Sequence, residues 1–597
     1  MNKENNIKGG GFLLFETDPQ KLFIPEEWNE EEKMVAQMCQ DFLEQEVNGK
    51  LDAIDALEEG LMPSLLEKAG EQGLLGISLP EEYGGLGKDF RTSMLVTEKL
   101  GAGHSFAVAF AAHTGIGTLP ILYYGTKEQK EKYLPKLASG EWKGAYCLTE
   151  PDSGSDANAA KSRAKLSEDG KHYILNGQKM WITNGGFADV FIVFAKIDDD
   201  AKLSAFIVEE SYEGISLNPE EKKMGIKGSS TRQVFFNDCK VPVENLLAER
   251  EQGFKIAVNI LNLGRIKLGG AALGACKSVI NKAVNYSKER IQFGIPIQKF
   301  GAIRHKIGEQ AVKTYATESA TYRASHDIQL AIERYMKEGM REEDAKLKGM
   351  EEFAIEAAII KVHASEALDY VVDEGVQIYG GMGYSAEAPM ERSFRDARIN
   401  RIFEGTNEIN RLLSFDMMVR KGMKGELPLL PAAQNIAKEM MEIPDFNAEK
   451  PEGVLALELE RIQKFKKAIL LVAGAALQKY MQKIAHEQEL IMYIADMLIE
   501  TYVAESTILR VQKLYNIQKD AKYIEEKIKI AQLYTYDAGL KIQQWGTQAI
   551  ASFASGDEAR MMQMALRRFT KADPLNTIAL RREIADKVME ENAYCYS

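Results

Sequence analysis

Hydrophobic positions change their spacing twice along the chain, and these changes predict three successive blocks of structure. From 27 to 143, and again from 251 to 420, apolar residues recur in the pattern of amphipathic helices. From 144 to 250, short β-branched and aromatic runs bounded by Gly, Asn and Asp predict antiparallel strands. The order helical, β, helical predicts an α+β fold that is mainly α, without the strand–helix alternation of a parallel sheet. The β-rich runs are 173–175, 190–194, 205–208 and 234–236.

A further helical region follows this body. Residues 1–26 are interpreted as an N-terminal tail, and Gly and Pro interrupt the periodicity over 421–450, which predicts a linker. The rest, 451–597, is predicted to be a helical extension with further helices at about 487–517 and 523–552. Its first helix carries an apolar stripe at Leu455, Leu459, Ile462, Phe465, Ile469, Val472 and Ala476.

The apolar stripe of the extension has two interpretations. A helix of this kind can lie on a membrane surface, or it can pack on the body or on a partner. Residues 431–597 hold 22 Lys and Arg against 23 Asp and Glu, so a strongly basic polar face is missing. Packing is therefore favoured, and a peripheral membrane contact stays as the alternative.

Composition and charge exclude several classes of protein. The chain has 597 residues, 45% of them apolar, which excludes a disordered chain or a small disulfide scaffold. The formal net charge of −13 argues against nucleic acid as a partner. Five scattered cysteines without a CxxC motif indicate a reducing compartment. The N-terminus resembles no signal or transit peptide, and uninterrupted apolar stretches such as 468–477 are too short for a transmembrane segment. We therefore expect a cytoplasmic protein.

Several familiar motifs are missing from the sequence. There is no GxGxxG, no GxxxxGK[ST] and no GxSxG, so a Rossmann site, a phosphate loop and a hydrolase elbow are not indicated. His486–Glu487 starts like a zinc motif, but Leu490 stands where the second histidine is needed. The seven histidines form no cluster at ligand spacing, so no metal is expected.

Four segments carry candidate chemistry, although each has an ordinary structural interpretation when taken alone. The segment 146–156 presents small hydroxyls, and 181–185 places a Trp and a Thr side by side, which suits an aromatic ring with polar edges. The segment 289–294 contains Arg290, which is suited to a pyrophosphate. In the fourth segment, 377–411, Glu404 follows Phe403, and a carboxylate beside an apolar wall tends towards a raised pKa, which suits a general base. Gly405 would let a bulky ligand approach the backbone.

Taken together, these segments resemble a known family. YCLTEPDSGSD, WITNG, ERIQFG, QIYGGMGY and RIFEGTNEI stand in the order and spacing of the acyl-CoA dehydrogenases, over about residues 27–420. The extra helical region is similar to that of the very-long-chain type. The resemblance implies an N-terminal helical domain, a middle β-barrel-like domain and a C-terminal four-helix bundle, with FAD between the last two. It also implies acyl-CoA as substrate, electron-transferring flavoprotein as electron acceptor and a homodimer.

The resemblance assigns roles to individual residues. Glu404 matches the base that removes the α-proton of the acyl thioester while hydride passes to the flavin, giving a trans-2-enoyl-CoA in the first step of β-oxidation. Some relatives place their base just before the arginine matched by Arg265, but that position is Gly264, so Glu404 is the sole candidate. The residues matching FAD contacts are Tyr146, Leu148, Thr149, Ser155, Trp181, Thr183, Arg290, Phe293, Gln377, Gly381, Thr406 and Glu408. Those matching substrate contacts are Ser155, Arg265, Phe403, Gly405, Val108 and Ala112.

The resemblance leaves chain length and electron acceptor to be argued. Medium-chain members close the acyl pocket with Gln and Glu, and these positions align with Val108 and Ala112. Small apolar residues leave a deeper slot, which predicts a long-chain substrate. Two alternatives remain: a binding or assembly protein on the same fold, and an acyl-CoA oxidase in which oxygen takes the electrons.

Overall fold

The N-terminal region of the protein is helical, as seen in a computed structural model that describes residues 8–439 and 451–597. Capping fixes its helix starts: the Asn29 side chain accepts from Glu32 N at 2.9 Å, and Thr126 pairs in the same way with Gln129. A six-residue π turn, Ala112–Gly117, follows the fifth helix and widens the backbone at the wall of the site described below. The helices are α1 Glu30–Phe42, α2 Leu51–Asp55, α3 Leu61–Glu71, α4 Phe90–Leu100, α5 Ser105–Ala111, α6 Leu119–Tyr124 and α7 Lys127–Ser139.

The middle region forms one eight-stranded sheet. Its order is β6-β7-β3-β2-β4-β5-β8, with β1 paired to β4. The pairs β1–β4 and β2–β4 are parallel, so the expectation of purely antiparallel strands was wrong. The sequence of β4 shows the reason, because nearly all of it is apolar and buried, as expected for a central strand covered on both faces. The strands are β1 Gly144–Cys147, β2 Arg163–Leu166, β3 His172–Thr183, β4 Val190–Ile197, β5 Ser204–Glu209, β6 Ile215–Leu217, β7 Thr231–Pro242 and β8 Leu246–Leu247.

The third region is a bundle built on three long helices. α8 packs against α4, α9 and α11. The contact with α4 is close, since a methyl group added at Gly274 would lie 1.8 Å from the Glu98 carbonyl oxygen. The elements are α8 Gly253–Glu289, a hairpin of β9 Ile291–Gln292 and β10 Ile295–Pro296, α9 Gly301–Lys337, α10 Glu342–Glu352, α11 Ala354–Tyr379, α12 Gly381–Tyr384, α13 Pro389–Ala397 and α14 Asn407–Met423. The helical, β, helical order of the body is thereby confirmed.

The C-terminal extension packs on the bundle. α17 lies against α9 and α14, and α20 against α9. The predicted stripe is buried in this packing except Leu459, which is half-buried, so it faces protein. The predicted linker 421–450 contains a helix, and its residues 440–450 lie outside the described part. The helices are α15 Leu429–Glu439, α16 Ala456–Tyr480, α17 Gln488–Ile517, α18 Ile524–Phe553, α19 Gly556–Thr570 and α20 Thr577–Glu591.

The N-terminal segment, interpreted from sequence as a tail, is part of the packed structure from residue 8 onward. Phe12, Leu13 and Leu14 are buried in the main core. The backbone N–H of Gly10 donates to the Glu356 carboxylate at 2.7 Å. The short apolar patch therefore supplies an anchor to the bundle, because its side chains bury against α-helical surface.

Two helical stretches are long and apolar enough to cross a membrane by length and composition, within the described residues. They are Ser105–Tyr124 and Gly253–Glu289, and the protein buries 78% and 72% of their most apolar windows. Burial of this extent is what core helices show, and both stretches line the site described next.

Candidate active site

An apolar cavity of about 180 Å³ lies between the N-terminal helices and the bundle. One wall is α5 with its π turn, including Val108 and Ala112. The opposite wall is α8, whose lining residues run from Leu263 and Gly264 to Val279. The lining residues of this cavity, called the channel below, thus extend over about 22 Å of α8, by the rise of 1.5 Å per residue between positions 264 and 279.

Glu404 stands in the wall of this channel. It precedes α14 and has φ of 58°, a left-handed conformation that is rare for a residue with a side chain. Its Oε2 is buried and has no hydrogen-bond partner among the described residues. Burial raises the pKa of Glu404 to about 7, against the opposing effect of the cations Arg265 and Lys361. A carboxylate with this pKa is suited to accept a proton near neutral pH.

The backbone around Glu404 is held from both sides. Arg265 Nε donates to the Glu404 carbonyl oxygen at 3.2 Å. Asn410 Nδ2 donates to the carbonyl oxygens of Gly405 at 2.8 Å and Thr406 at 3.0 Å, and Thr406 caps α14. These contacts fix the strained turn, so the carboxyl group is presented to the channel without a local partner of its own.

Gly264 makes room for this carboxyl group. A methyl group added at Gly264 would lie 2.5 Å from Glu404 Oε2, closer than real carbon–oxygen contacts allow. The space that a side chain at position 264 would fill is thus occupied by the carboxyl group of Glu404. Gly264 also marks the level of Glu404 along α8.

Lys361 lies behind Glu404 and was not identified from the sequence. Its side chain is fully buried on α11 and donates to Asn407 Oδ1 at 2.7 Å. Burial lowers the pKa of Lys361 to about 8, while Glu404 favours its charged form. A lysine in a helical pattern gives no local signal, because the carboxylate it meets is more than 40 residues away along the chain.

Within the segment 146–156, Tyr146 is the residue whose side chain lies near Glu404. Tyr146 Oη is buried without a hydrogen-bond partner among the described residues, and burial and the nearby Glu404 carboxylate raise the pKa of Tyr146 well above 10. Leu148 is buried, Thr149 is half-buried and Ser155 is exposed. The loop is held by Glu150, which was also missed from sequence: it accepts from the buried Lys179 Nζ at 2.7 Å.

Trp181 and Thr183 project from the end of β3. The pairing of β3 with β7 is irregular between Lys179 and Ile182, and Trp181 there has φ of 61°. Such bulges re-aim side chains, and the Trp181 side chain is 52% exposed while Thr183 lines the channel. The bulge thereby places an aromatic face outside the channel and a hydroxyl inside it.

The remaining predicted residues divide between two places. Phe403 lines the channel with Glu404, Val108, Ala112 and Thr183. Away from the channel, the end of α8 contacts the end of α11 through the stacked rings of Tyr286 and Tyr379, whose centroids are 3.9 Å apart. Four predicted residues lie close in sequence to these two helix ends, namely Arg290, Phe293, Gln377 and Gly381. These four are exposed and line no part of the channel; Glu408 is exposed on the first turn of α14.

Comparisons with known proteins cover most of the chain. The acyl-CoA dehydrogenase N-terminal domain matches residues 29–141, the middle domain 145–239, and two C-terminal domains 251–418 and 464–568. The chain is 46% identical to a probable acyl-CoA dehydrogenase of Bacillus subtilis, over 98% of both chains. It is 40% identical to the very long-chain specific acyl-CoA dehydrogenase of Rattus norvegicus, over 77% of this chain and 71% of that protein.

A solved structure has the same fold along nearly the whole chain. The acyl-CoA dehydrogenase of Bacillus anthracis complexed with FAD has a TM-score of 0.95 and 45% identity, covering 98% of this chain and 100% of the other. An isolated carboxylate base in an apolar channel is suited to remove a proton from a carbon acid. The chain belongs to the acyl-CoA dehydrogenase family, and its extension is part of that match. It is an FAD-dependent oxidoreductase that acts on acyl-CoA.

The residues present fit FAD. The buried Tyr146 hydroxyl without a partner among the described residues, the channel-lining Thr183 and the half-exposed Trp181 ring supply a donor, a second hydroxyl and an aromatic face. Arg290 is exposed, and no ion pair is seen for it within the described residues, so its guanidinium is available to a phosphate.

Proposed function

We propose that this protein oxidises long-chain fatty acyl-CoA to trans-2-enoyl-CoA, the first step of β-oxidation, and passes the electrons to electron-transferring flavoprotein. The observation that carries the proposal is the unpartnered Glu404 carboxyl group in the wall of a channel that runs along α8. The two features together provide a base for an acidic C–H bond and space for the tail beyond it.

The chain's own residues divide the work. Glu404 takes the proton from the carbon next to the thioester, and Arg265 and Asn410 keep the turn that aims it. The apolar walls exclude water, which keeps the pKa of Glu404 near 7 and the carboxyl group unsolvated. FAD, when bound, accepts the hydride.

The channel favours long tails. Val108 and Ala112 leave the space open at the positions where larger polar residues would close it, and the lining continues along α8 to Val279. An extended hydrocarbon advances about 1.3 Å per carbon from C–C bonds of ~1.5 Å, so the span of about 22 Å along α8 is comparable with the length of a tail of roughly 16 carbons. Each buried CH₂ contributes about 0.8 kcal/mol of binding.

Electron transfer to a protein acceptor is supported by exposure. Trp181, beside the site that fits the flavin, is 52% exposed, so a partner can approach this edge. The assembly-protein alternative has weaker support, since a scaffold has no need of a base with a pKa near 7.

For the cellular location, the scattered unpaired cysteines favour a reducing compartment, and we propose the cytoplasm.

An anaerobic titration tests the proposal. Palmitoyl-CoA should bleach the flavin of the purified protein, and the colour should return with electron-transferring flavoprotein far faster than with oxygen. Glu404→Gln should retain FAD and bind palmitoyl-CoA but lose at least about 10²-fold in flavin reduction. Fast reoxidation by oxygen would favour the oxidase, and a protein without FAD would favour the assembly role. A maximum at C4 to C6 would contradict the long-chain preference.

A further inference from the structure

Lys267 places an unpaired cation in the largely apolar α8 wall of the channel. It lies on α8, and its neighbours on the same wall are Leu268, Ala271, Ala272 and Ala275. No hydrogen bond or ion pair joins Lys267 to any other residue in the described ranges 8–439 and 451–597. By contrast, the buried Lys179 and Lys466 each meet a carboxylate at hydrogen-bond distance.

Neither of the carboxyl groups that line the channel is paired with Lys267. The pKa of Glu404 is lowered by Arg265 and Lys361, with no contribution from Lys267. Asp396 pairs with His104 at 2.9 Å and also accepts from the backbone N–H of Ile226. Lys267 therefore has no carboxylate partner within the described residues. Burial lowers the pKa of Lys267 only to about 8, which leaves it mostly charged at neutral pH.

Its position on α8 determines which part of a ligand it meets. Gly264 marks the level of Glu404, and Lys267 stands one turn further into the channel, about 4.5 Å by the helical rise. The pKa of Glu404 responds to Arg265 and Lys361 but not to this lysine, so the ammonium group lies away from the Glu404 carboxyl group. The group is thus beyond the thioester, beside the tail, where a plain methylene chain offers a buried ammonium group nothing to bind.

We propose that Lys267 is a specificity-determining residue that binds a carboxylate carried on the acyl tail, so that the channel accepts ω-carboxyl acyl-CoA as well as simple fatty acyl-CoA. A carboxylate is the acceptor that complements a desolvated ammonium group best, by a charge-assisted hydrogen bond. For both classes of acyl-CoA, oxidation takes place next to the thioester, at Glu404. The inference rests on the proposed acyl-CoA oxidation and adds to it a second class of substrate.

The test compares substrates of equal length. Adipyl-, suberyl- and sebacyl-CoA are each paired with hexanoyl-, octanoyl- and decanoyl-CoA, and kcat/KM is measured for the holoenzyme, for Lys267→Met and for Lys255→Met. Lys255 is an exposed lysine on the same helix and serves as the matched control. At the best length, Lys267→Met should lower the ratio of carboxyl- to methyl-ended substrate by at least roughly tenfold, the scale of one hydrogen bond to a charged group. Lys255→Met should leave the ratio unchanged.

Binding provides a second measurement that does not depend on turnover. In the Glu404→Gln background, calorimetry should show tighter binding of suberyl-CoA than of octanoyl-CoA, and Lys267→Met should remove the difference. An unchanged ratio of kcat/KM for carboxyl- and methyl-ended substrates in Lys267→Met would overturn the inference. A uniform gain in kcat/KM for all long tails would also overturn it, because Lys267 would then only obstruct the channel. Loss of FAD from Lys267→Met would overturn it too, by assigning the cation to the cofactor. If palmitoyl-CoA also fails to bleach the wild-type flavin, the proposed function has failed instead.

Discussion

At the scale of single residues, the site is governed by how few charges surround Glu404. Removal from water disfavours its carboxylate, and the two cations, Arg265 and Lys361, oppose this without forming a hydrogen bond to the carboxyl group itself. The result is a pKa near 7 in place of an ordinary carboxyl value. The proton affinity of the base is therefore set by cations that form no hydrogen bond to its carboxyl group.

Replacing Lys361 with Met should shift the pH profile of the enzyme. The Lys361 charge lowers the pKa of Glu404, so its loss should raise that pKa, and the deprotonated base should form only at higher pH. The rise of kcat/KM with pH, expected near 7 in the wild type, should move upward in Lys361→Met. Lys361→Arg, which keeps the charge, should restore it. The same midpoint in all three proteins would show that Lys361 has only a packing role.

The sequence located the residues that line the channel better than those that support them. Glu404, Phe403 and Thr183 were predicted from the motifs, and Val108 and Ala112 from alignment with medium-chain members, and all five line one channel. Their supports could not be predicted, because a buried ion pair such as Glu150 with Lys179 looks like two surface residues until the strands are paired. The same applies to Lys361 and Lys267, which occupy ordinary positions in long helices.

At the scale of elements, the channel depends on the π turn that follows α5. The turn places Ala112 and Gly115 in the wall, opposite α8, and their small side chains keep the deep part open. The helical pattern over 27–143 did predict a helix here, but a π turn has no periodicity of its own that distinguishes it. Nor could the parallel pairing of β1 with β4 be read from strands that are far apart in sequence and apolar throughout.

Filling this wall should shorten the preferred substrate. In Ala112→Phe, the ring would project into the channel, and kcat/KM for palmitoyl-CoA should fall by at least about tenfold, equivalent to the burial of roughly two CH₂ groups. Butyryl-CoA, which does not reach the deep part, is the internal control and should be oxidised as before. A steady-state chain-length series measures this. An equal loss for both substrates would indicate a general disturbance of the site, and no loss for either would mean that the tail follows another path.

At the scale of the whole molecule, the extension is joined to the body by buried ion pairs as well as by apolar contacts. Arg510 of α17 binds Glu318 of α9 at 2.7 Å and Glu26 of the N-terminal segment at 3.0 Å. Lys466 and Arg323 meet on Glu505. Buried ion pairs of this kind add little net stability. Another packing arrangement of the extension would leave these charges buried without partners, so the pairs favour a single docking position on the bundle.

In this docking position the extension covers the outer surface of α9, while the hairpin at the end of α8 stays exposed. Phe293, at the tip of the hairpin, is 94% exposed, and Ile291 and Ile295 flank it. In this chain α17 and α20 pack on α9, so this face of the bundle is already covered. We therefore propose a homodimer that uses the hairpin side.

Sedimentation or light scattering should give a mass of twice 66.7 kDa for the wild type. Phe293→Asp should shift the protein to monomers and weaken FAD retention, because it puts a charge into an apolar contact that the partner subunit has to bury. Met564→Asp, at a 70% exposed position on α19, is the matched control and should stay dimeric. A wild-type tetramer would show that the extension does not close the bundle face, and a dimer that persists in Phe293→Asp would place the interface away from the hairpin.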